Sequence, residues 1–338
     1  MTKKIQIAIC YDFDGTLSPK NMQEYGFMET LDIRGPQKFW EEVDNTAKKQ
    51  NADNISVYMK LMISKSKENE IQYDKETLKN YGKSIELFKG VETWFDRINE
   101  YGKKQGVLVK HFIISSGLKE MIEGTKIAKE FEKVFASSFM YDPHGIPEWP
   151  AVVLNFTTKT RYLFEINKGK NCSNINKYIP DEDREIPFSN MIYIGDGETD
   201  IPCMKIVKKE GGHSIAVYKP KSSKKLKIAE QLVKDKRVNF MASADYSEDS
   251  QIERIVKAII DKVVADTKVN ILKPKHNQSS ELKSKSKDKN NNVIEQDMHK
   301  QENIVIENVE KQKVKEIKEK DDVMDMMEES TENNTGIW

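Results

Sequence analysis

The sequence predicts an α/β fold, a parallel sheet flanked by helices, with a helical insertion after its first strand and a charged C-terminal tail. Three observations predict it. Short unbroken apolar runs at residues 5–11, 111–115, 191–194 and 214–217 read as strands buried on both faces. Amphipathic helical stretches separate most of them, as in repeated strand–helix–strand units. One long interval, from Ser18 to about Lys89, holds roughly 70 residues without a strand-like run.

In chain order, the run 5–11 opens the sheet. The interval after it, residues 19–88, is helix-prone, with Phe39, Trp40 and Val43 followed by Val57, Tyr58, Leu61 and Met62. An insertion of that size directly after the first strand is a small helical domain beside the sheet, so the core domain is expected to comprise 1–18 and 89–266. The second strand, 111–115, has a lead-in at 107–109. Residues 118–130, carrying Leu118, Met121, Ile122 and Ala128, read as a helix. Asp142, Pro143, Gly145, Pro147 and Pro150 lie between the apolar runs 139–141 and 151–156, the pattern of a hairpin with a broad turn. The run 191–194 is the third strand, and Gly211-Gly212 ends a helix over 204–209 before the fourth at 214–217. Residues 250–264 place Ile252, Ile255, Val256, Ile259, Ile260, Val263 and Val264 on one helical stripe. Ligands of such sheets bind in the crevice at the carboxyl ends of the strands.

The 338 residues hold 55 Lys+Arg and 55 Asp+Glu, a formal net charge of zero, which argues against a general polyanion binder; no nucleic acid partner is expected. Hydrophobic content of 37% supports a core, while charged content of 33% exceeds the usual ~25% and implies that part of the chain stays outside it. Cys10, Cys172 and Cys203, with no Cys-x-x-Cys, exclude a disulfide-stapled or zinc-ribbon design and fit a reducing compartment. Lys3-Lys4 ahead of an apolar run suggests a secretion signal, but Gln6 interrupts the run and Asp12 follows it at once. No stretch approaches the ~18 apolar residues of a membrane span. The expectation is a cytoplasmic protein with no membrane partner. His111, His144, His213, His276 and His299 form no metal spacing, and Cys10 reads as a core residue.

From Thr267 the character changes. Residues 267–338 carry 13 Lys and 15 Asp+Glu, and Trp338 is their only aromatic. Lysines concentrate in 268–289 and acids in 316–332. Such a segment buries too little surface to offset its ordering entropy, so disorder is expected, with a protein partner as one role for it. Ile306, Val309, Ile317, Met324 and Met327 sit near heptad spacing, though Lys313 and Lys320 interrupt the stripe.

The chemistry concentrates at strand ends. Asp12-Phe13-Asp14-Gly15-Thr16 follows the first strand, and a glycine there lets the backbone turn both carboxylates towards one site. Such a pair suits a divalent hard cation, with one group attacking and the other moving a proton. Gly195-Asp196-Gly197-Glu198-Thr199-Asp200 follows another strand, so its acids open on the same edge and repel unless a cation compensates them. Ser115-Ser116-Gly117 ends a strand and opens the next predicted helix; its hydroxyls and amides suit an anion, although an ordinary helix cap reads the same way. Lys159 precedes the helical stretch 162–166 and, taken alone, is an ordinary surface lysine.

Taken together, Asp12-x-Asp14-Gly15-Thr16, Ser115, Lys159 and Gly195-Asp196-x-x-x-Asp200 resemble the four ordered motifs of the haloacid dehalogenase superfamily over roughly residues 5–265. The resemblance implies a Rossmann-like core and makes the 19–88 insertion a type-one cap, as in phosphoserine phosphatases. It implies that Asp12 is the nucleophile forming an aspartyl-phosphate, that Asp14 protonates the leaving oxygen and then activates water, and that Thr16 positions Asp14. Ser115 and Lys159 would hold the phosphoryl oxygens together with Ser116 and Gly117; the serine assignment between 115 and 116 stays open. Mg²⁺ would be held by the Asp12 carboxylate, the Asp14 carbonyl and Asp196, with Asp200 supporting Lys159 or the metal shell. An acid at Asp14 separates phosphatases from relatives that lack it, because an alkoxide leaves poorly unless protonated. This chain has Thr199 where phosphoserine phosphatases usually have Asn, and its insertion is longer than theirs. Phe27, Met28, Arg34, Phe39 and Trp40 are candidates to face the site from the insertion. The expected activity is Mg²⁺-dependent hydrolysis of a small phosphorylated metabolite; phosphoryl transfer to another acceptor, a phosphoprotein substrate, or a scaffold acting through its tail are the alternatives.

Overall fold

Strand β1 (Ile5–Tyr11) lies at the centre of a seven-stranded sheet in the computed structural model, which describes residues 4–31, 33, 35–169 and 175–272. On one side of it follow β2 (Val107–Leu118), β3 (Lys133–Tyr141) and β4 (Pro147–Val152), and on the other β5 (Met191–Gly195), β6 (His213–Tyr218) and β7 (Phe240–Ser243). All neighbours run parallel except β3 and β4, which form the predicted hairpin. The chain leaves β1 for β2 on one side and later returns to β5 on the other, which puts a topological switch point at the end of β1.

Why the strand runs are apolar throughout follows from the layers. Ile7, Ile9 and Tyr11 of β1 join a core with α5 (Val91–Lys104) and α10 (Gln251–Leu272), whereas Ala8 and Cys10 face a second core with α7 (Thr158–Lys168), α8 (Ile201–Lys209) and α9 (Ser223–Lys234). Side chains alternate across a strand, so a sheet covered on both faces needs apolar residues at odd and even positions alike. One polar chain crosses the first core. Trp94 Nε1 donates to the Tyr11 hydroxyl at 2.8 Å, the hydroxyl meets His111 Nδ1 at 3.0 Å, and His111 Nε2 meets Asn99 Oδ1 at 3.1 Å. Burial holds His111 down at about 3, so the neutral ring donates to Asn99 and accepts from Tyr11.

The insertion folds as α1 (Phe27–Thr30), α2 (Pro36–Gln50), α3 (Asn54–Glu68) and α4 (Lys75–Gly82). Phe27, Met28, Phe39, Val43, Met59, Met62 and Leu78 join the same apolar cluster as the sheet's first face. Its last helix meets α6 (Lys119–Glu123) backbone to backbone: a Cβ on Gly82 would lie 2.0 Å from the Met121 carbonyl oxygen, and one on Gly124 1.9 Å from that of Lys79.

Three expectations need correction. The helix predicted over 118–130 is only the five-residue α6 plus a short 3-10 turn at Ala128–Glu130, because β2 runs on through Leu118 and the apolar residues serve a strand end instead. The stripe beginning at 250 continues as one 22-residue helix to Leu272, six residues past the expected boundary at 266. β7 is an addition: four residues, Phe-Met-Ala-Ser, give too short a run to register as a strand. The tail expectations for 273–338, including His276 and His299, and those for Arg34 and Cys172 fall outside the described residues. Cys10 and Cys203 are free and buried. Among the described residues no helix is long and apolar enough to cross a membrane.

Candidate active site

The register of the central strands brings the motifs together. Tyr11 pairs with Ile113 in β2 and with Ile194 in β5, so the chain emerges from adjacent strands at one edge, and the Asp12 amide still donates to the Ile194 carbonyl at 2.9 Å. Asp12 is 5% exposed at the floor of a cleft of about 500 Å³. Lys159, in the first turn of α7 rather than ahead of it, is fully buried; its ammonium donates to Asp12 Oδ1 at 2.9 Å and to Asp200 Oδ1 at 2.8 Å. The Tyr193 hydroxyl donates to the same Asp200 oxygen at 2.8 Å. Burial works against the charge on Lys159, but Asp12 and then Asp200 outweigh it and raise its pKa, so the lysine is an ammonium at any ordinary pH. Burial and Asp200 push the Asp12 carboxyl up from its usual range, and Lys159 only partly offsets them.

Asp14 takes a different position. Its Oδ1 accepts the Met22 amide at 3.0 Å, where the chain enters the insertion. Burial, and then Asp12, raise its carboxyl well above the ordinary range. Gly15 has φ +77°, and a Cβ there would stand 2.3 Å from Asp196 Oδ2, which is why a glycine occupies the turn. Asp196 is raised by burial and eased back by Lys225, whose ammonium reaches Oδ2 at 2.7 Å.

The Ser115–Gly117 segment belongs to the last residues of β2, where pairing with β3 slips between Ser115 and Leu118. Ser115 and Ser116 both line the cleft; Ser115 Oγ accepts the Gly117 amide at 3.1 Å, whereas the buried Ser116 Oγ has no hydrogen-bond partner among the described residues. The insertion closes over this point: Tyr58 of α3 donates to the Ser116 carbonyl at 2.8 Å, and Trp40, Ile55 and Tyr58 line the cleft. Of the insertion residues named from sequence, Trp40 lines the cleft, while Phe27, Met28 and Phe39 are packed in the core. Thr16 is fully buried; its hydroxyl makes no bond to Asp14, and its carbonyl accepts the Tyr246 hydroxyl at 2.9 Å.

A divalent cation fits this donor set. One carboxylate oxygen from each of Asp12, Asp196 and Asp200 lies within 4.8 Å of the others. Asp12 and Asp200 share the Lys159 ammonium, and Asp196 pairs with that of Lys225. Hard carboxylate oxygens with uncompensated charge are the ligands Mg²⁺ takes.

A family model described as haloacid dehalogenase-like hydrolase matches residues 9–205, more than half of the chain and all four motifs. The chain belongs to that family. This haloacid dehalogenase-like hydrolase is 32% identical over 273 residues to an uncharacterized protein of Borreliella burgdorferi (strain ATCC 35210 / DSM 4680 / CIP 102532 / B31), a match covering 73% of this chain and 93% of that one. Among solved structures it resembles a family hydrolase of Salmonella enterica serovar Typhi, with a TM-score of 0.46, 17% identity and coverage of 69% and 66% of the two chains. It resembles a substrate-bound phosphoserine phosphatase at 0.46, with 17% identity and coverage of 75% and 99%. A probable phosphoserine phosphatase from Vibrio cholerae matches at 0.47, with 11% identity over 78% of this chain and 67% of that one.

The hydrolase's site also holds residues that motif spacing does not flag. Tyr193 lies inside a strand run, and its signal was general: a buried tyrosine hydroxyl needs a partner. Met22 acts through its backbone amide, which no side-chain pattern reveals. Lys225 stands among four other lysines between 219 and 227 and carries no local signal.

Proposed function

We propose that the chain is a Mg²⁺-dependent phosphatase hydrolysing a small phosphomonoester through an aspartyl-phosphate on Asp12. The observation that carries this reading is the buried Lys159 ammonium held between Asp12 and Asp200, with Asp14 lining the same cleft as Asp12. In the first step an Asp12 carboxylate oxygen bonds to phosphorus as the bond to the alcohol oxygen breaks, and Asp14 gives that oxygen its proton. In the second, Asp14 takes a proton from water, the water oxygen bonds to phosphorus, and the bond to Asp12 breaks, which releases inorganic phosphate and restores both residues. Lys159 opposes the burial that favours protonating Asp12, and Ser115, Ser116 and Gly117 line the same cleft as Asp12. Mg²⁺, held by Asp12, the Asp14 carbonyl and Asp196 with Asp200 in support, would supply charge neutralisation at the transferring group. The 19–88 insertion acts as the cap, supported by Trp40, Ile55 and Tyr58 along the cleft wall.

A panel of phosphomonoesters, alkyl and aryl, assayed with Mg²⁺ and with a chelator tests the reading. Turnover of at least one small phosphomonoester that stops on chelation is expected. Turnover that persists under full chelation contradicts it.

A further inference from the structure

Ser116 and Gly117 fall where the pairing of β2 with β3 passes from Ser115 directly to Leu118, so that pairing does not set the direction of their peptide groups. Gly117 adds backbone freedom of its own, and a side chain is excluded there: a Cβ would stand 2.2 Å from Met22 Cε and 3.1 Å from Asp14 Oδ2. The insertion supplies what the strand pairing does not. The Tyr58 hydroxyl of α3 donates to the Ser116 carbonyl at 2.8 Å, and the Leu118 amide donates to Met22 Sδ at 3.0 Å. A trans peptide group is planar, with its carbonyl and its amide pointing opposite ways. The Ser116–Gly117 group is therefore held at both ends, by Tyr58 at the carbonyl and by Ser115 Oγ at the amide.

Neither insertion residue is loose. Met22 is fully buried, and its own amide donates to Asp14. Tyr58 is 3% exposed, with its ring edge-on to Trp40 at 5.9 Å. Burial, and then Asp14, raise its phenol well above the ordinary range, so the hydroxyl stays a donor. We propose that Tyr58, supported by Met22, is a positioning residue for the phosphoryl group: its hydroxyl fixes the Ser116–Gly117 peptide, so the loop is ordered before the group arrives. This rests on the phosphatase reading, with Ser115, Ser116 and Gly117 around the phosphoryl oxygens. Without the hydroxyl, ordering the loop falls to the binding step and weakens it. The phosphoryl group is present in substrate and transition state alike, so the loss belongs in KM more than in kcat. The insertion is thereby part of the anion site as well as its cover.

Calorimetric titration of the full chain with inorganic phosphate in Mg²⁺, paired with steady-state kinetics on an aryl phosphate and with thermal unfolding, tests the proposal. Tyr58→Phe keeps the ring and removes only the hydroxyl. It is expected to bind phosphate roughly three- to tenfold more weakly than wild type and to raise KM by a similar factor, with kcat changed by less than about twofold. Met22→Leu keeps the bulk and removes the sulfur acceptor; it should shift both quantities the same way, and it decides the matter where Tyr58→Phe perturbs folding. Phosphate binding and KM equal to wild type in the folded variant, with only the melting temperature lowered, would make these contacts structural and overturn the proposal alone. Wild type that neither binds phosphate nor turns over the aryl phosphate overturns the phosphatase reading and the proposal with it.

Discussion

Asp12 and Asp14 are two residues apart and chemically opposite, and their surroundings make them so. Asp12 shares an oxygen with the Lys159 ammonium, while Asp14 receives only a backbone amide from Met22. Lys159 thereby draws Asp12 towards the anion, against burial and Asp200, whereas burial and the neighbouring Asp12 draw Asp14 towards the acid. Asp14→Asn removes the transferable proton without changing shape. It is expected to lower kcat by ~10²–10⁴-fold on alkyl phosphates and by clearly less on an aryl phosphate, whose leaving group needs no proton. The ratio of the two rates, measured side by side, checks this; an equal loss on both would assign Asp14 to structure. Asp200, just after an exposed-looking Gly-Asp-Gly loop, is fully buried because Lys159 and Tyr193 both donate to it.

At the scale of elements, the sheet delivers the acids and the helices deliver the cations. Asp12 and Asp196 leave β1 and β5 side by side, while Lys159 and Lys225 come from the first turns of α7 and α9. The helix packing opposite the site depends on one ion pair: Arg97 of α5 reaches Glu253 of α10 at 2.9 Å, and the Glu253 side chain is fully buried. Arg97→Ala leaves that carboxylate with the Asp249 amide and with Lys257 at 3.5 Å. A loss on the order of 3 kcal/mol is expected, read from urea unfolding. A loss within 0.5 kcal/mol would mean the pair is replaceable. Much of this layering was legible in the sequence, because strands covered on both faces must be apolar without interruption, as 7–11 and 191–194 are. β7 and the true length of β2 were not, since a four-residue edge strand and a strand end that slips register leave no periodic pattern. Trp40 and Phe39 show the limit most clearly: adjacent on α2, one lines the cleft and the other the core, and only the packing of the insertion's helices on one another decides which.

Over the whole molecule, stability and function draw on opposite arrangements of charge. The core below the site keeps His111 neutral within the Trp94–Tyr11–His111–Asn99 chain, its pKa lowered by burial from 6.5 to about 3. A histidine depressed in the folded state binds more protons unfolded, so its contribution is complete above pH 6.5 and is lost as the pH falls towards 3. His111→Gln is expected to flatten the acid limb of the stability–pH curve in that window, measured by urea unfolding at a series of pH values; an unchanged limb would exclude His111 as its cause.

The site above does the reverse, crowding acids whose repulsion two lysines relieve in part and the proposed Mg²⁺ would relieve further. The measurement that tests this most directly is turnover of an aryl phosphate with Mg²⁺ by Asp12→Asn beside wild type, with folding of both verified by thermal unfolding. The account predicts Mg²⁺-dependent turnover by wild type and its loss by ~10⁴-fold or more in the folded variant, because the group that bonds to phosphorus is gone. Turnover by Asp12→Asn within tenfold of wild type would contradict it.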